Sequence, residues 1–159
     1  MKGCGRRRTG SEGYLDLSGT VELLGKQHQQ VTRDMGDVHA RGNPHYWLNP
    51  NNGILMAKAI SKQLTLLDEK NADSYQKNLT AFVNRLQEKI TEWKKTLSVL
   101  NGSELVAYHQ SFIYLAAAFS FTVVDEVEPK PGISPSAKSL QNLIDKINKH
   151  SIKYLIIEP

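Results

Sequence analysis

The sequence predicts an α/β fold in which a long helix leads into a partial parallel sheet. Two observations support this prediction. Apolar residues recur at gaps of three or four from residue 72 to residue 99, which is the spacing of one face of a helix. Beyond residue 101, short apolar runs alternate with helical patterns, and strands separated by helices build parallel sheets. The 159 residues are enough for one domain with its own core.

Two helices are predicted ahead of the sheet. Asn49 is a favourable N-cap, and Pro50 suits the first helical position because its φ is preset and its nitrogen needs no partner. Apolar residues at helical spacing continue this helix to residue 67. Asn71 is the next predicted cap, and the helix over residues 72–99 would span about 40 Å at the standard rise. A helix of this length crosses a whole domain or joins two.

The sheet is predicted from short apolar runs over residues 105–108, 121–124 and 154–157, with helices over residues 111–119 and 136–149. Small and polar residues dominate the start of the chain, which predicts loops with one short strand or helical turn. The predicted segments are a loop-rich remnant of an N-terminal lobe over residues 1–44, a ligand loop and helix over 45–70, the long connecting helix over 71–100 and a partial C-terminal α/β lobe over 101–159.

Composition and charge exclude several classes of protein. The net charge of +4 is mild, and basic residues alternate with acidic ones on the predicted helices, as over residues 92–95. This pattern is typical of a solvated face, so we expect no nucleic-acid partner. No run approaches the ~20 apolar residues needed to cross a bilayer. The single cysteine, Cys4, rules out an internal disulfide and a multi-cysteine zinc cluster, and no export signal is readable after Met1.

Two histidines in unlike settings are the leading candidates for a binding site. Imidazole nitrogen is the commonest protein ligand for zinc and related ions. His109 follows a predicted buried strand, and ligands bind at the carboxyl ends of the strands in open parallel sheets. A histidine ring satisfied by a neighbouring carbonyl would fit the same position. Position alone therefore leaves both interpretations of His109 open.

His45 lies in a stiffened loop just ahead of the first predicted helix. Pro44 restricts the backbone, and Tyr46 and Trp47 would bury the stem of the loop, which gives the rigid mount that a metal ligand needs. The alternative is a loop histidine in an aromatic cluster. His39 is either an accessory ligand or a solvent-facing loop residue.

Catalytic chemistry is poorly supported by the sequence. It contains no His-Glu-x-x-His helix, no glycine-rich phosphate loop and no Gly-x-Ser-x-Gly turn. Ser111 lies close to His109, but no activating triad follows from that. Glu126, Glu128 and Glu158 flank the ends of predicted strands, where such carboxylates either face the crevice or are solvated. We therefore predict a binding protein and not an enzyme.

Several of these segments resemble a known family. The runs GDVH over residues 36–39, GNPHYWLNP over 42–50, YH over 108–109 and EPKPGISPS over 128–136 are similar to signatures of the zinc- and manganese-type solute-binding proteins of ABC importers. The long predicted helix fits that family's rigid connecting helix between two lobes. The resemblance extends from about residue 13 to residue 159, and it implies that the chain is half of a two-lobed metal-binding protein.

In that family the metal lies between the lobes and is held by four side chains. The resemblance implies that His45 and His109 are ligands from different sides of the cleft, with His39 as a possible accessory ligand. It places the family's first ligand, a histidine, ahead of this chain's start, and its last ligand, an acidic residue, beyond this chain's end. We therefore expect a chain truncated at both ends that binds its metal weakly. Imidazole ligands favour zinc over manganese.

The resemblance also implies a partner and a location. The expected partner is an ABC permease in the membrane, which receives the ion from a monomeric binding protein in the periplasm or on the cell surface. Without an export signal, the chain as written would stay in the cytoplasm. Two alternatives remain: a metal-dependent hydrolase, in which His45 and His109 hold a catalytic zinc and a glutamate acts as base, and a non-functional truncated fragment.

Overall fold

A computed structural model describes residues 10–25, 42–129 and 132–158 of the chain. Helices and strands follow the predicted order, and the predicted α/β class is confirmed. The helices are α1 (Pro50–Leu67), α2 (Ala72–Thr96), α3 (Ile113–Phe119) and α4 (Ala137–His150). The strands are β1 (Glu104–Ala107), β2 (Thr122–Glu126) and β3 (Tyr154–Ile156).

The three strands form one parallel sheet in the order β2-β1-β3. Leu105 of β1 is paired with Val123 on one side and with Tyr154 on the other. Because β1 has a neighbour on both edges, its last three residues are almost fully buried. The carboxyl ends of all three strands meet at one edge of the sheet, which is the edge that binds ligands in open parallel sheets.

The core lies between this sheet and α3. Its centre is a cluster of Leu105, Ala116, Phe119 and Phe121. Partly buried side chains from the short 3-10 helix Leu97–Leu100 pack against the cluster. This turn follows α2 directly, so the long helix is anchored to the sheet through the same apolar core.

The helices α1 and α2 pack against each other as a pair. They approach closely at Gly53, where an added Cβ would lie 3.2 Å from Leu86 Cδ2. Much of the apolar surface of the pair remains exposed, with Leu66 at 71% the most open. In the part of the chain that the structure describes, no helix has the length and apolar content to cross a membrane.

Helix α1 begins where the sequence predicts. The Asn49 side-chain oxygen accepts a hydrogen bond from the backbone N–H of Asn51 at 3.0 Å, and Pro50 occupies the first turn. Replacing Asn49 by Ala should lower the free energy of unfolding by about 1 kcal/mol, because the cap is lost. Asn49→Asp keeps an acceptor and is the matched control. Equal chemical-denaturation midpoints for wild type and Asn49→Ala would contradict this assignment.

Helix α2 begins at Ala72 as predicted, but its capping and its end differ from the prediction. Asn71 does not cap the helix with its side chain; it donates instead to Asp68 Oδ2 at 2.6 Å. Tyr75 donates to the same oxygen at 2.8 Å, and this hydrogen bond raises the pKa of the Tyr75 hydroxyl. The regular helix ends at Thr96 and not near residue 99, because the chain tightens into a 3-10 turn before Gly102, whose φ is +71°.

The strand boundaries also move by one or two residues. The second strand begins at Thr122 because Phe121 belongs to the core cluster and precedes the paired ladder. Tyr108 leaves β1 and lies edge-on to the ring of His109. Of the predicted loop-rich region over residues 1–44, the described part contains the 3-10 helix Leu17–Thr20. The proposed domain boundaries stay a prediction.

Candidate metal site

A cavity of about 960 Å³ opens at the carboxyl end of the sheet. Its lining includes His45, from the loop ahead of α1, and His109, from the loop after β1. Glu126, the last residue of β2, and Glu158, just past β3, line the same cavity. Folding therefore brings together the two predicted histidines and two of the three glutamates that flank the strand ends.

The backbone around His109 is held by both neighbouring strands. The N–H of Tyr108 donates to the carbonyl of Ile156 at 2.9 Å, and the carbonyl of Tyr108 accepts from the N–H of Glu128 at 2.8 Å. These bonds continue the parallel ladder past the last residue of β1. The backbone next to His109 is consequently held in place, and His109 lines the cavity, as its position after a buried strand predicts.

The His109 ring lies between two carboxylates. Its Nδ1 is 3.2 Å from Glu158 Oε2, and its Nε2 is 3.5 Å from Glu128 Oε1. Glu128 Oε1 also accepts from the N–H of Gly132 at 2.6 Å, which fixes its carboxylate. A carboxylate that accepts the N–H of an imidazole selects the tautomer and increases the basicity of the other nitrogen. Carboxylate oxygens lie at both nitrogens of the His109 ring, and that of Glu158 is the closer.

The pKa of the Glu158 carboxyl group is lowered in this setting. Burial by itself would raise the pKa of its carboxyl group, but hydrogen bonds from Ser111, from its own backbone and from His109 together lower that pKa. Ser111 is buried and lies two positions after His109, the histidine that it indirectly supports. The sequence places Ser111 close to His109 but leaves Glu158 at a strand end, either facing the crevice or solvated. It does not reveal the contact of Glu158 with His109, because that contact joins segments that only the parallel sheet brings together.

His45 is held by a residue that the sequence analysis did not single out. The backbone N–H of His45 donates to Asn43 Oδ1 at 2.9 Å, and His45 Nδ1 lies 2.9 Å from the same oxygen. The available signal was the Asn-Pro dipeptide that precedes His45, since a residue before proline is restricted to extended conformations. In this conformation Asn43 Oδ1 lies next to His45, two positions later in the sequence.

Tyr46 and Trp47 bury the His45 loop less than predicted. Trp47 is 54% exposed, and its ring centroid lies 5.4 Å from that of His45. Tyr46 contributes chiefly through its carbonyl oxygen, which accepts from Asn52 Nδ2 at 2.9 Å. Asn52 is buried in the first turns of α1. The loop is therefore tied down by asparagine hydrogen bonds more than by aromatic burial.

Of the other three histidines, His150 is the one within the described residues. His39, the possible accessory ligand, is outside the described residues. His150 is the last residue of α4, and its Nδ1 lies 2.9 Å from Glu104 Oε2. Within residues 10–25, 42–129 and 132–158, no group of three or more His, Cys, Asp or Glu side chains is arranged to hold a metal ion. The lining of the cavity nevertheless includes His45 and His109.

Glu126 is the second carboxylate that lines the cavity. Burial raises the pKa of its carboxyl group, and the neighbouring charge of Asp125 raises it further, while Lys146 lowers it. Lys146 is anchored nearby by 2.8 Å hydrogen bonds to Asp125 Oδ2 and to the carbonyl of Val124. The ionised form of Glu126 is therefore disfavoured in the folded chain relative to the unfolded chain.

Glu126→Gln should raise the melting temperature at neutral pH. The pKa of the Glu126 carboxyl group is higher in the folded chain than in the unfolded chain. Its ionisation therefore lowers the free energy of unfolding at pH values above the folded-state pKa, and has little effect at pH values below the unfolded-state pKa. The gain should therefore largely vanish at about pH 4, where most of the carboxyl is protonated in both states. Thermal unfolding at the two pH values measures this, with Glu88→Gln on the exposed face of α2 as control. A gain of equal size at both pH values would contradict the raised pKa of Glu126 as its cause.

Sequence comparison places the chain among known proteins. Residues 7–159 match the family described as "Zinc-uptake complex component A periplasmic". The chain belongs to this family. The resemblance to zinc- and manganese-type solute-binding proteins is thereby confirmed, since the match extends across all the motifs that suggested it.

Individual relatives of this zinc-uptake component family agree. The chain is 30% identical over 147 residues to the manganese ABC transporter substrate-binding lipoprotein PsaA of Streptococcus pneumoniae, covering 91% of this chain and 45% of PsaA. It is 27% identical to the zinc-binding lipoprotein AdcA of Streptococcus pneumoniae (strain ATCC BAA-255 / R6), covering 91% of this chain and 29% of AdcA. A crystal structure of ZnuA superposes with a TM-score of 0.71 at 26% identity, covering 89% of this chain and 52% of that one.

The chain thus spans less than half the length of these two curated relatives of the zinc-uptake component family. PsaA is named as the substrate-binding lipoprotein of a manganese ABC transporter and AdcA as a zinc-binding lipoprotein. Neither name describes an enzyme, in agreement with the prediction from the missing catalytic motifs.

Proposed function

We propose that this chain binds a divalent metal ion through His45 and His109, as part of the solute-binding component of an ABC metal importer. The observation that carries this proposal is that two imidazoles, far apart in the sequence, line one cavity at the ligand-binding edge of a parallel sheet. The family to which the chain belongs supports the same role.

The contact of His45 favours Nε2 as its ligating nitrogen, whereas both nitrogens of His109 lie near a carboxylate oxygen. In each ring Nδ1 faces a side-chain oxygen, that of Asn43 for His45 and that of Glu158 for His109. A metal ligand histidine commonly directs its other nitrogen to such an oxygen acceptor, which fixes the ring and its tautomer. An oxygen acceptor therefore contacts Nδ1 in both histidines: an amide oxygen in His45 and a carboxylate oxygen in His109.

Zinc is the favoured cargo. Imidazole nitrogen suits zinc, whereas manganese prefers oxygen ligands. Relatives of both kinds are known, since PsaA is named for manganese and AdcA for zinc. With two imidazoles supplied by the described residues, water completes the coordination shell, so we expect zinc to bind more weakly than in a site with four protein ligands.

Isothermal titration of the purified chain with zinc, and separately with manganese, tests this proposal. The expected result is one zinc ion per chain at modest affinity, and weaker binding of manganese. Absence of zinc binding would overturn the proposed function. Tighter binding of manganese than of zinc would overturn the choice of metal, and nanomolar zinc affinity would overturn the expectation of a partial coordination shell.

The proposed partner is a membrane permease that receives the ion, and the proposed place of action is outside the cytoplasm. The family description names a periplasmic component, and the two relatives are lipoproteins. Capture and release require no covalent chemistry from the ligands. We further propose that the chain acts as a monomer, which light scattering during the metal titration would check.

A further inference from the structure

We propose that Asn43 is a positioning residue that sets the tautomer of His45 and ties the His45 loop to the His109 loop. This inference rests on the proposed function for its effect on metal binding. The tautomer of His45 and the hydrogen bond that links its loop to the His109 loop are properties of the metal-free chain. They follow from the hydrogen bonds of Asn43 and do not depend on metal binding. Asn43 makes hydrogen bonds to three other segments through its side chain and backbone.

The side-chain oxygen of Asn43 faces His45. It accepts from the backbone N–H of His45 and lies 2.9 Å from His45 Nδ1. An amide oxygen accepts hydrogen bonds and cannot donate them, so the proton of the neutral imidazole must be on Nδ1. The unprotonated nitrogen of His45 is consequently Nε2, which is the form that a metal ligand needs.

The side-chain nitrogen of Asn43 faces the other loop. Asn43 Nδ2 donates to the backbone carbonyl of Gln110, the residue that follows His109. This bond also settles which way the amide points. Turning the amide over would place its oxygen against a carbonyl oxygen and its NH₂ group against the N–H of His45, and both contacts would be repulsive. One side chain therefore reaches both ligand loops in a single orientation.

The backbone of Asn43 is itself fixed. Its N–H donates to the carbonyl of Leu24 at 2.8 Å, and its carbonyl accepts from the hydroxyl of Tyr114 at 2.9 Å. The same hydroxyl accepts from the N–H of Leu24 at 2.9 Å, and Tyr114 is 1% exposed. Gly25 lies against the Asn43 side chain, since an added Cβ there would be 3.3 Å from Asn43 Cβ. Asn43 is therefore braced from three sides.

Two variants separate the roles of the Asn43 amide. Asn43→Asp keeps an oxygen that accepts from His45 but has no N–H to donate to Gln110. Asn43→Ala removes both interactions. Asn78→Ala, at an exposed position on α2, is the matched asparagine control. Nitrogen-15 NMR of the His45 ring in the metal-free chain reports the tautomer, and the carbonyl carbon-13 shift of Gln110 reports the second hydrogen bond.

We expect wild type and Asn43→Asp to show the Nδ1–H tautomer of neutral His45, and Asn43→Ala to shift toward the Nε2–H form. The Gln110 carbonyl shift should move in both Asn43 variants and stay unchanged in Asn78→Ala. An Nε2–H tautomer in the wild type, or an unmoved Gln110 shift in Asn43→Asp, would overturn the proposal. These results decide it even where Asn43→Ala fails to fold.

Zinc titration then tests the consequence for binding. Loss of a group that orients a metal ligand costs about 10–100-fold in affinity, so we expect a decrease of this size in Asn43→Ala and none in Asn78→Ala. An unchanged affinity in Asn43→Ala would show that Asn43 does not position the ligand. If the wild type itself binds no zinc, the proposed function fails, whereas the NMR results on the metal-free chain still decide the role of Asn43.

Discussion

Replacing His45 or His109 by alanine should lower the zinc affinity of the chain by more than the ~100-fold that loss of a supporting group costs. Both imidazoles line the cavity, and each would supply a direct bond to the ion. With one imidazole left, a single nitrogen and water would be the remaining donors to the metal. Isothermal titration of the two single variants and of the double variant measures the effect.

The control for these histidine variants is His150→Ala. His150 lies at the end of α4, paired with Glu104, and it is not among the residues that line the cavity. Its removal should leave zinc affinity unchanged. A loss of binding in His150→Ala equal to that in His109→Ala would indicate nonspecific binding to histidines and would count against the cavity as the site. Circular dichroism of each variant confirms that the helices remain.

Leu105→Ala is expected to have the largest effect on stability. Leu105 is 2% exposed at the centre of the sheet and belongs to the cluster that joins β1 to α3. Removing a buried leucine side chain loses its transfer free energy and leaves a cavity, which together cost about 2–5 kcal/mol. For a chain of this size the melting temperature should fall by at least about 5 °C.

Leu155→Ala provides the matched comparison, because it removes the same atoms from the neighbouring strand β3. Leu155 is 58% exposed, so its replacement should change the free energy of unfolding by less than about 0.5 kcal/mol. Urea unfolding of both variants measures the difference. Equal destabilisation by the two substitutions would contradict the burial of Leu105 and the exposure of Leu155.

The elements with strong local signals were predictable from sequence. Helix α1 has the predicted bounds because an asparagine cap and Pro50 define its start and apolar spacing defines its extent. Helix α4 likewise starts after the Ser136 cap, which accepts from the N–H of Ser139. The early end of α2 was not predictable from spacing, since Leu97 and Leu100 keep the apolar rhythm while the backbone tightens to reach the core.

The sequence predicted that His45 and His109 would share one crevice, and both line the cavity, but it did not predict the residues that contact them. The position of His109 after a buried strand pointed to the cavity, and the motif resemblance pointed to His45. The contacts of Asn43 with Gln110 and of Glu158 with His109 join residues far apart in sequence. Such contacts depend on which strands become neighbours, and no local pattern encodes that.

The ladder bond between Tyr108 and Ile156 couples the His109 loop to the shortest strand. Strand β3 is three residues long and largely exposed, so it should fray before the rest of the sheet. Each such opening would release the amide next to His109 and withdraw Glu158 from its ring. If the chain binds an ion as proposed, the rate of ion loss would then depend on how often β3 opens. Mild warming should weaken ion binding well before the helices melt.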